Sequence, residues 1–308
     1  MKVDKLRIAL VVALLNVAGC SARRQQETSS AMISNVTTAT TAPSSARDVA
    51  PSPMITRHLV VYDDIAYRPG ASKAWRLDLA MQEPAGDERR PAIVIIHGGG
   101  WRAGSKRDRA YRDLLMHYAL KGYVTLSVDY RLTTEAPFPA CIEDVKCAVR
   151  WLRAHADQYR VDPNRIGAYG HSAGAHLVMM LAMLPASVDV EGDGGWSEYS
   201  SKIQAAAGGS TPVTIRPGPN APADPAKWSP MTYVSKDVPP ILLISGTADN
   251  IVPVATNDEF VEKLKAAGAT DVTYVRIDGG NHGVAYEFFL DRTQSAMDQF
   301  FERTLGKK

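Results

Sequence analysis

The chain has only three cysteines in 308 residues, too few for a fold held together by disulfides. Its stability must therefore come from an apolar core, and a 45% hydrophobic composition is ample for one. It also lacks any long apolar run. The most apolar stretches, residues 8–19 and 173–184, fall short of the roughly 20 residues that span a bilayer core. An excess of one charge is missing too: 35 Lys and Arg stand against 33 Asp and Glu. A composition so balanced offers no basic surface to nucleic acid. No group of His, Cys and carboxylates has metal-ligand spacing, so neither a metal nor another cofactor is expected. No internal repeat is visible.

What is present begins with an address. Lys2, Lys5 and Arg7 precede the apolar stretch 8–19, which ends in Val17-Ala18-Gly19-Cys20. A basic start followed by a short apolar segment reads as an export signal. The small residues directly before Cys20 resemble a bacterial lipobox, which implies lipidation of Cys20. Ser21 in the next position implies sorting to the outer membrane. Residues 1–19 are thus expected to be a lipoprotein signal peptide. Residues 20–53, dominated by Ser, Thr, Ala and Pro, are expected to be a flexible tether without a core of their own. The folded domain is expected over 54–308, and membrane association only through the lipid.

From residue 54 onward, short apolar strands alternate with helices. Strands are predicted at 58–62, 75–81, 92–97, 123–129, 165–170, 203–208, 241–245 and 272–277. Helices are predicted at 108–120, 140–156, 173–184, 256–267 and 284–304. This alternation predicts an α/β domain with a mostly parallel eight-stranded sheet and helices on both faces. Cys141 and Cys147 fall on one predicted helix. Six residues of helix separate Cα atoms by about 9 Å, beyond the reach of a disulfide, so two buried thiols are expected unless the helix starts after Cys141.

The segment RIGAYGHSAGAH (165–176) places Ser172 where a strand turns directly into a helix, with Gly170 and Gly174 around it. So tight a turn leaves no room for side chains two positions before and after the serine. It reads as a nucleophile elbow. A serine hydroxyl needs a base, and His282 is the candidate, in the glycine-rich loop DGGNHG after the last strand. Asp249, just past the strand 241–245, is the candidate acid, preferred over Asp278, which lies in the same loop as His282. PAIVIIHGGGW (91–101) ends a strand in three glycines. The N–H groups of Gly99 and Gly100, with that of Ala173, are the candidate oxyanion donors. His97 is expected to hold that loop in shape and His176 to be a packed, hydrogen-bonded core residue. Trp101 and Tyr130 each follow a strand end and have two readings, walls of a substrate cleft or ordinary packing. The basic stretch 102–112 has two readings, a solvated helix face or an attractor of anionic substrates.

Taken in order, HGGGW, DYRL (129–132), GHSAGAH, GTADNIVP and GGNHG resemble the α/β-hydrolase carboxylesterases, and within them the bacterial feruloyl-esterase-like group. The resemblance spans about residues 55–305. It implies an α/β-hydrolase fold with a small cap, Ser172, Asp249 and His282 as a catalytic triad, and hydrolysis of short-acyl, aromatic-acyl or sugar esters through an acyl-enzyme. That group neighbours the hormone-sensitive-lipase-like esterases, and one departure is His171, where those lipase-like relatives often carry Asp. Amide hydrolysis on the same fold, or a non-catalytic binding protein of this fold, are the alternative readings. The segment 210–240 holds no long amphipathic stretch, so no lipase-type lid is expected.

Overall fold

A computed structural model describes residues 54–306, apart from 57–58, 84–85, 217–221 and 284–290. The expected signal segment, Cys20 and the tether lie outside the described residues. Nine strands form one sheet. They are β1 (Met54–Thr56), β2 (Leu59–Ala66), β3 (Arg76–Gln82), β4 (Arg90–Ile96), β5 (Val124–Val128), β6 (Val161–His171), β7 (Ala205–Gly209), β8 (Ile241–Gly246) and β9 (Val272–Ile277). The sheet order is β1-β2-β3-β5-β4-β6-β7-β8-β9. Pairings from β5 through β9 are parallel, and β1, β2 and β3 add antiparallel to one side. All eight predicted strands are present. The ninth, β1, is three residues long, too short to leave a periodic pattern.

The helices are α1 (Arg109–Leu120), α2 (Ala140–Ala154), α3 (Ala173–Met183), α4 (Val254–Ala266) and α5 (Asp291–Leu305). β4 explains why they lie on both faces. Ala92, Val94 and Ile96 enter the core shared with α2, α3 and α4, whereas Ile93 and Ile95 enter the core shared with α1 and α5. A strand covered on both sides is continuously apolar, and this is why the central strands read as unbroken runs. Cys141 and Cys147 lie together on α2 as free, buried thiols. Burial raises the Cys147 thiol to about 11.

The topology also says where a site should form. After β4 the chain moves to β5 on one side, and after β5 it returns to β6 on the other. The carboxyl ends of β4 and β6 therefore flank a switch point, where a crevice opens in such sheets. The loop after β4 and the elbow after β6 both sit there. Among the described residues, no helix is long and apolar enough to cross a membrane.

Candidate active site

Ser172 occupies the turn between β6 and α3 with φ +53° and ψ −120°, a left-handed backbone that side chains rarely adopt. Such strain persists only where the surroundings over-determine it, and here the two glycines show how. A Cβ on Gly170 would lie 2.3 Å from the Gly174 carbonyl carbon. A Cβ on Gly174 would lie 2.1 Å from the Ile96 carbonyl oxygen. The elbow thus packs backbone on backbone, against itself and against the end of β4.

The structure brings Ser172, His282 and Asp249 together from three separate strand ends. His282 Nε2 is 3.0 Å from Ser172 Oγ, and His282 Nδ1 is 2.9 Å from Asp249 Oδ2. The other carboxylate oxygen of Asp249 accepts the backbone N–H groups of Ile251 and Val252, both at 2.9 Å. Burial alone would raise the Asp249 carboxyl. The Val252 N–H, the His282 imidazole and the Ile251 N–H outweigh it and hold the group below the usual carboxylate range. An ionised carboxylate on Nδ1 leaves Nε2 free to accept the serine proton. Asp278 is engaged elsewhere, accepting the hydroxyl of Thr247, which follows β8, at 3.2 Å.

The loop after β4 presents backbone donors. The Gly98 N–H donates to the Tyr111 phenol oxygen at 2.6 Å. The N–H groups of Gly99 and Gly100 have no acceptor among the described residues. Gly99 has φ +110°, and a Cβ there would lie 2.1 Å from the Ala103 carbonyl oxygen. Only glycine makes this turn, which is closed by Arg102 and Ala103 donating to the Gly99 carbonyl. Ala173 begins α3, where the N–H groups of the first turn lack intrahelical acceptors.

Two expected walls part company. Trp101 lines a cleft of ≈ 460 Å³ over Ser172, together with Phe138, Val213, Ile215 and Ile251. Its indole N–H donates to His176 Nδ1 at 3.2 Å. Tyr130 does not line the cleft: it is 1% exposed, its hydroxyl donates to the His97 carbonyl at 3.0 Å, and its ring stacks on His97 at 4.3 Å. Following a strand end placed it near the site, but its side chain turns inward beneath the oxyanion loop. His97 also reaches the Gly98 carbonyl through Nδ1 at 2.7 Å, and burial lowers its imidazole from the ordinary range.

His176 Nε2 donates to the Trp228 carbonyl at 2.7 Å, which leaves Nδ1 to accept from Trp101. His171 Nε2 donates to the His282 carbonyl at 2.9 Å. That contact, and the Ser210 hydroxyl reaching the same carbonyl at 3.3 Å, were not read from the sequence. Nor were the apolar cleft residues Val213, Ile215 and Ile251, which lie in loops without a period. Of the basic stretch, Lys106 is buried and bonded to Asp78 at 2.6 Å and Asp64 at 2.8 Å. Arg107 and Arg112 also reach Asp78. Most of the stretch is therefore neither a free solvated face nor an attractor. No group of residues suited to holding a metal ion is found among the described residues.

The BD-FAE family model matches residues 77–220 and 216–264, more than half of the chain. The chain belongs to the BD-FAE family. Its fold is that of the α/β-hydrolases. A truncated form of a carbohydrate esterase from gut microbiota superposes with TM-score 0.71 at 26% identity, covering 80% of this chain and 96% of that one. Thermogutta terrifontis esterase 2, in a form phosphorylated by paraoxon, superposes with TM-score 0.69 at 30% identity, covering 84% and 98%. Among curated relatives, esterase LipC of Mycobacterium tuberculosis is 30% identical over 234 residues, 70% of this chain and 58% of LipC. The chain spans about half the length of the curated relatives it matches.

Proposed function

We propose that this protein is a serine carboxylesterase that hydrolyses short-acyl, aromatic-acyl or sugar esters. The observation that carries the reading is the continuous relay from Asp249 through His282 to Ser172 Oγ, opening on an apolar cleft. The Ser172 proton passes to His282 Nε2 as Oγ attacks the ester carbonyl. The oxyanion is received by the N–H groups of Gly99, Gly100 and Ala173. His282 returns the proton to the departing alkoxide, and water, activated by the same imidazole, then frees the acid. The names of the relatives, all esterases or ester hydrolases, favour esters over amides.

The preference for small acyl groups rests on the cleft. Between β7 and β8, the described residues form only short turns, Ala226–Trp228 and Pro230–Tyr233, and no lid helix. A long acyl chain would gain about 0.8 kcal/mol for each CH₂ buried in an enclosed trough, and an open cleft forgoes most of that. The test is a p-nitrophenyl ester series from acetate to palmitate, with fluorophosphonate labelling of the wild type and Ser172→Ala. Labelling only of the wild type, with kcat/KM greatest at short chains, is expected. A steady rise to palmitate would refute the short-chain reading, and activity retained in pure Ser172→Ala would refute the serine mechanism.

We also propose export as an outer-membrane lipoprotein anchored through Cys20, a reading supported by the sequence around it. Cys20→Ser should release the protein from membranes. A wild type found soluble and free of lipid would end that proposal.

A further inference from the structure

The five cations of residues 102–112 fall into two kinds. Lys106, Arg107 and Arg112 are bonded to carboxylates on β2 and β3, and Arg109 faces Asp113 at 3.6 Å. Arg102 has no carboxylate partner among the described residues. Its backbone N–H is fixed to the Gly99 carbonyl at 3.1 Å, and its exposed side chain lines the cleft beside Ser172. Arg216 lines the same cleft, is equally exposed and has no carboxylate partner among the described residues either. No described Asp or Glu lines that cleft.

The cleft does not stop at Arg102. A second depression of ≈ 610 Å³ shares Arg102, Thr133, Phe138 and Pro222 with it and continues to Lys227 and Trp228. Its one carboxylate, Asp224, is already engaged by the Lys227 backbone N–H at 3.2 Å. Arg102 therefore stands at the waist between an apolar chamber over the nucleophile and a mixed polar and apolar one beyond it. An anion entering the waist meets a planar guanidinium with no internal rival to displace, and bidentate pairing with a carboxylate is the contact that group makes best. Apolar walls on one side strengthen the pairing relative to open water.

We infer that the cleft selects esters carrying a carboxylate, with Arg102 as the specificity residue and Arg216 as its support. This rests on the esterase reading above. The carboxylate sits on either the alcohol or the acyl side of the ester, and paired probes separate the two. On the alcohol side, 4-acetoxybenzoate is compared with neutral 4-acetoxybenzamide. On the acyl side, monoethyl succinate is compared with ethyl succinamate. Hydrolysis is followed by pH-stat and corrected for the spontaneous rate.

In the wild type, the anion is expected to have about a tenfold advantage in kcat/KM in at least one pair, as a charge-assisted hydrogen bond would supply. The advantage should reside mainly in KM, weaken in high salt, fall close to unity in Arg102→Gln and be partly kept in Arg102→Lys. Arg109→Gln, outside the cleft, should leave the ratio unchanged. Thermal melts check that each variant is folded. Ratios near unity for both pairs in the wild type, or a ratio undiminished in folded Arg102→Gln, overturn the inference. A wild type that hydrolyses none of the probes and no p-nitrophenyl ester removes the esterase reading, and this inference with it.

Discussion

Two histidines flank Ser172, one directly before it and one a helical turn after. Both are buried, and burial pushes both imidazoles down to about 4. Both donate Nε2–H to a backbone carbonyl, yet they brace opposite sides of the site. His171 holds the carbonyl of His282, so it supports the base. His176 holds the carbonyl of Trp228 and the indole of Trp101, so it supports the cleft wall next to the oxyanion donors. A neutral imidazole is a useful bracket because it carries one donor and one acceptor in fixed directions. The comparison extends to what is braced. The base side consists of side chains carried on two loops, and the donor side consists of backbone folded against itself.

That contrast is sharpened most strongly by disabling one element on each side. Asp249→Asn removes the acceptor that fixes the His282 tautomer and should lower kcat by about 10⁴-fold with the fold intact, the magnitude known for a triad carboxylate. Gly99→Ala should lower kcat by about 10²–10³-fold, the scale of one oxyanion donor. It should also lower Tm, because its Cβ meets the Ala103 carbonyl at 2.1 Å. Steady-state kinetics on one ester together with melting curves measure both. A Gly99→Ala protein of wild-type kcat and Tm would show that this turn keeps its working geometry without glycine at 99.

A smaller effect separates the two histidines themselves. His171→Gln should lower kcat by roughly tenfold with little change in KM, because the base loses a support. His176→Gln should act mainly on KM through Trp101. Both should also change acid stability. The native imidazoles remain neutral down to about 4, whereas the unfolded ones take up protons below 6.5. Between those values the unfolded chain binds more protons. The stability is therefore present above pH 6.5 and is lost as the pH falls toward 4. Each substitution should make that loss shallower, which urea melts at pH 7.5 and 4.5 will measure. An unchanged slope in both variants would contradict the assigned burial of charge-free rings.

The contrast also explains what was legible in the sequence. Strands covered on both faces had to be continuously apolar, so the sheet could be read from runs such as AIVII. The elbow could be read because a turn that tight tolerates nothing beyond hydrogen at Gly170 and Gly174. His282 and Asp249 were found by their position after strand ends, and the structure sets them 2.9 Å apart. The direction of a side chain after a strand end is another matter. Trp101 turns toward the cleft and Tyr130 away from it, and only the partner of the Tyr130 hydroxyl, 33 residues distant in sequence, distinguishes them. Lys106 looked like a surface charge for the same reason. Its carboxylates lie 42 and 28 residues earlier in the chain, and no local pattern announces them.

The contact of Gly174 with the Ile96 carbonyl sets a dimension. It joins the start of α3, which follows the proposed nucleophile and carries one candidate donor, to the end of β4, whose following loop carries the other two. The spacing between attacking oxygen and oxyanion pocket is then gauged by main chain alone, like a jig clamped before any tool is fitted. Exchanges at Val213, Ile215, Ile251 or Arg102 can recut the opening for another ester without moving that gauge. New specificities are therefore reachable in this domain by single steps in the loops after β4, β7 and β8, each tried on a reaction geometry already in register.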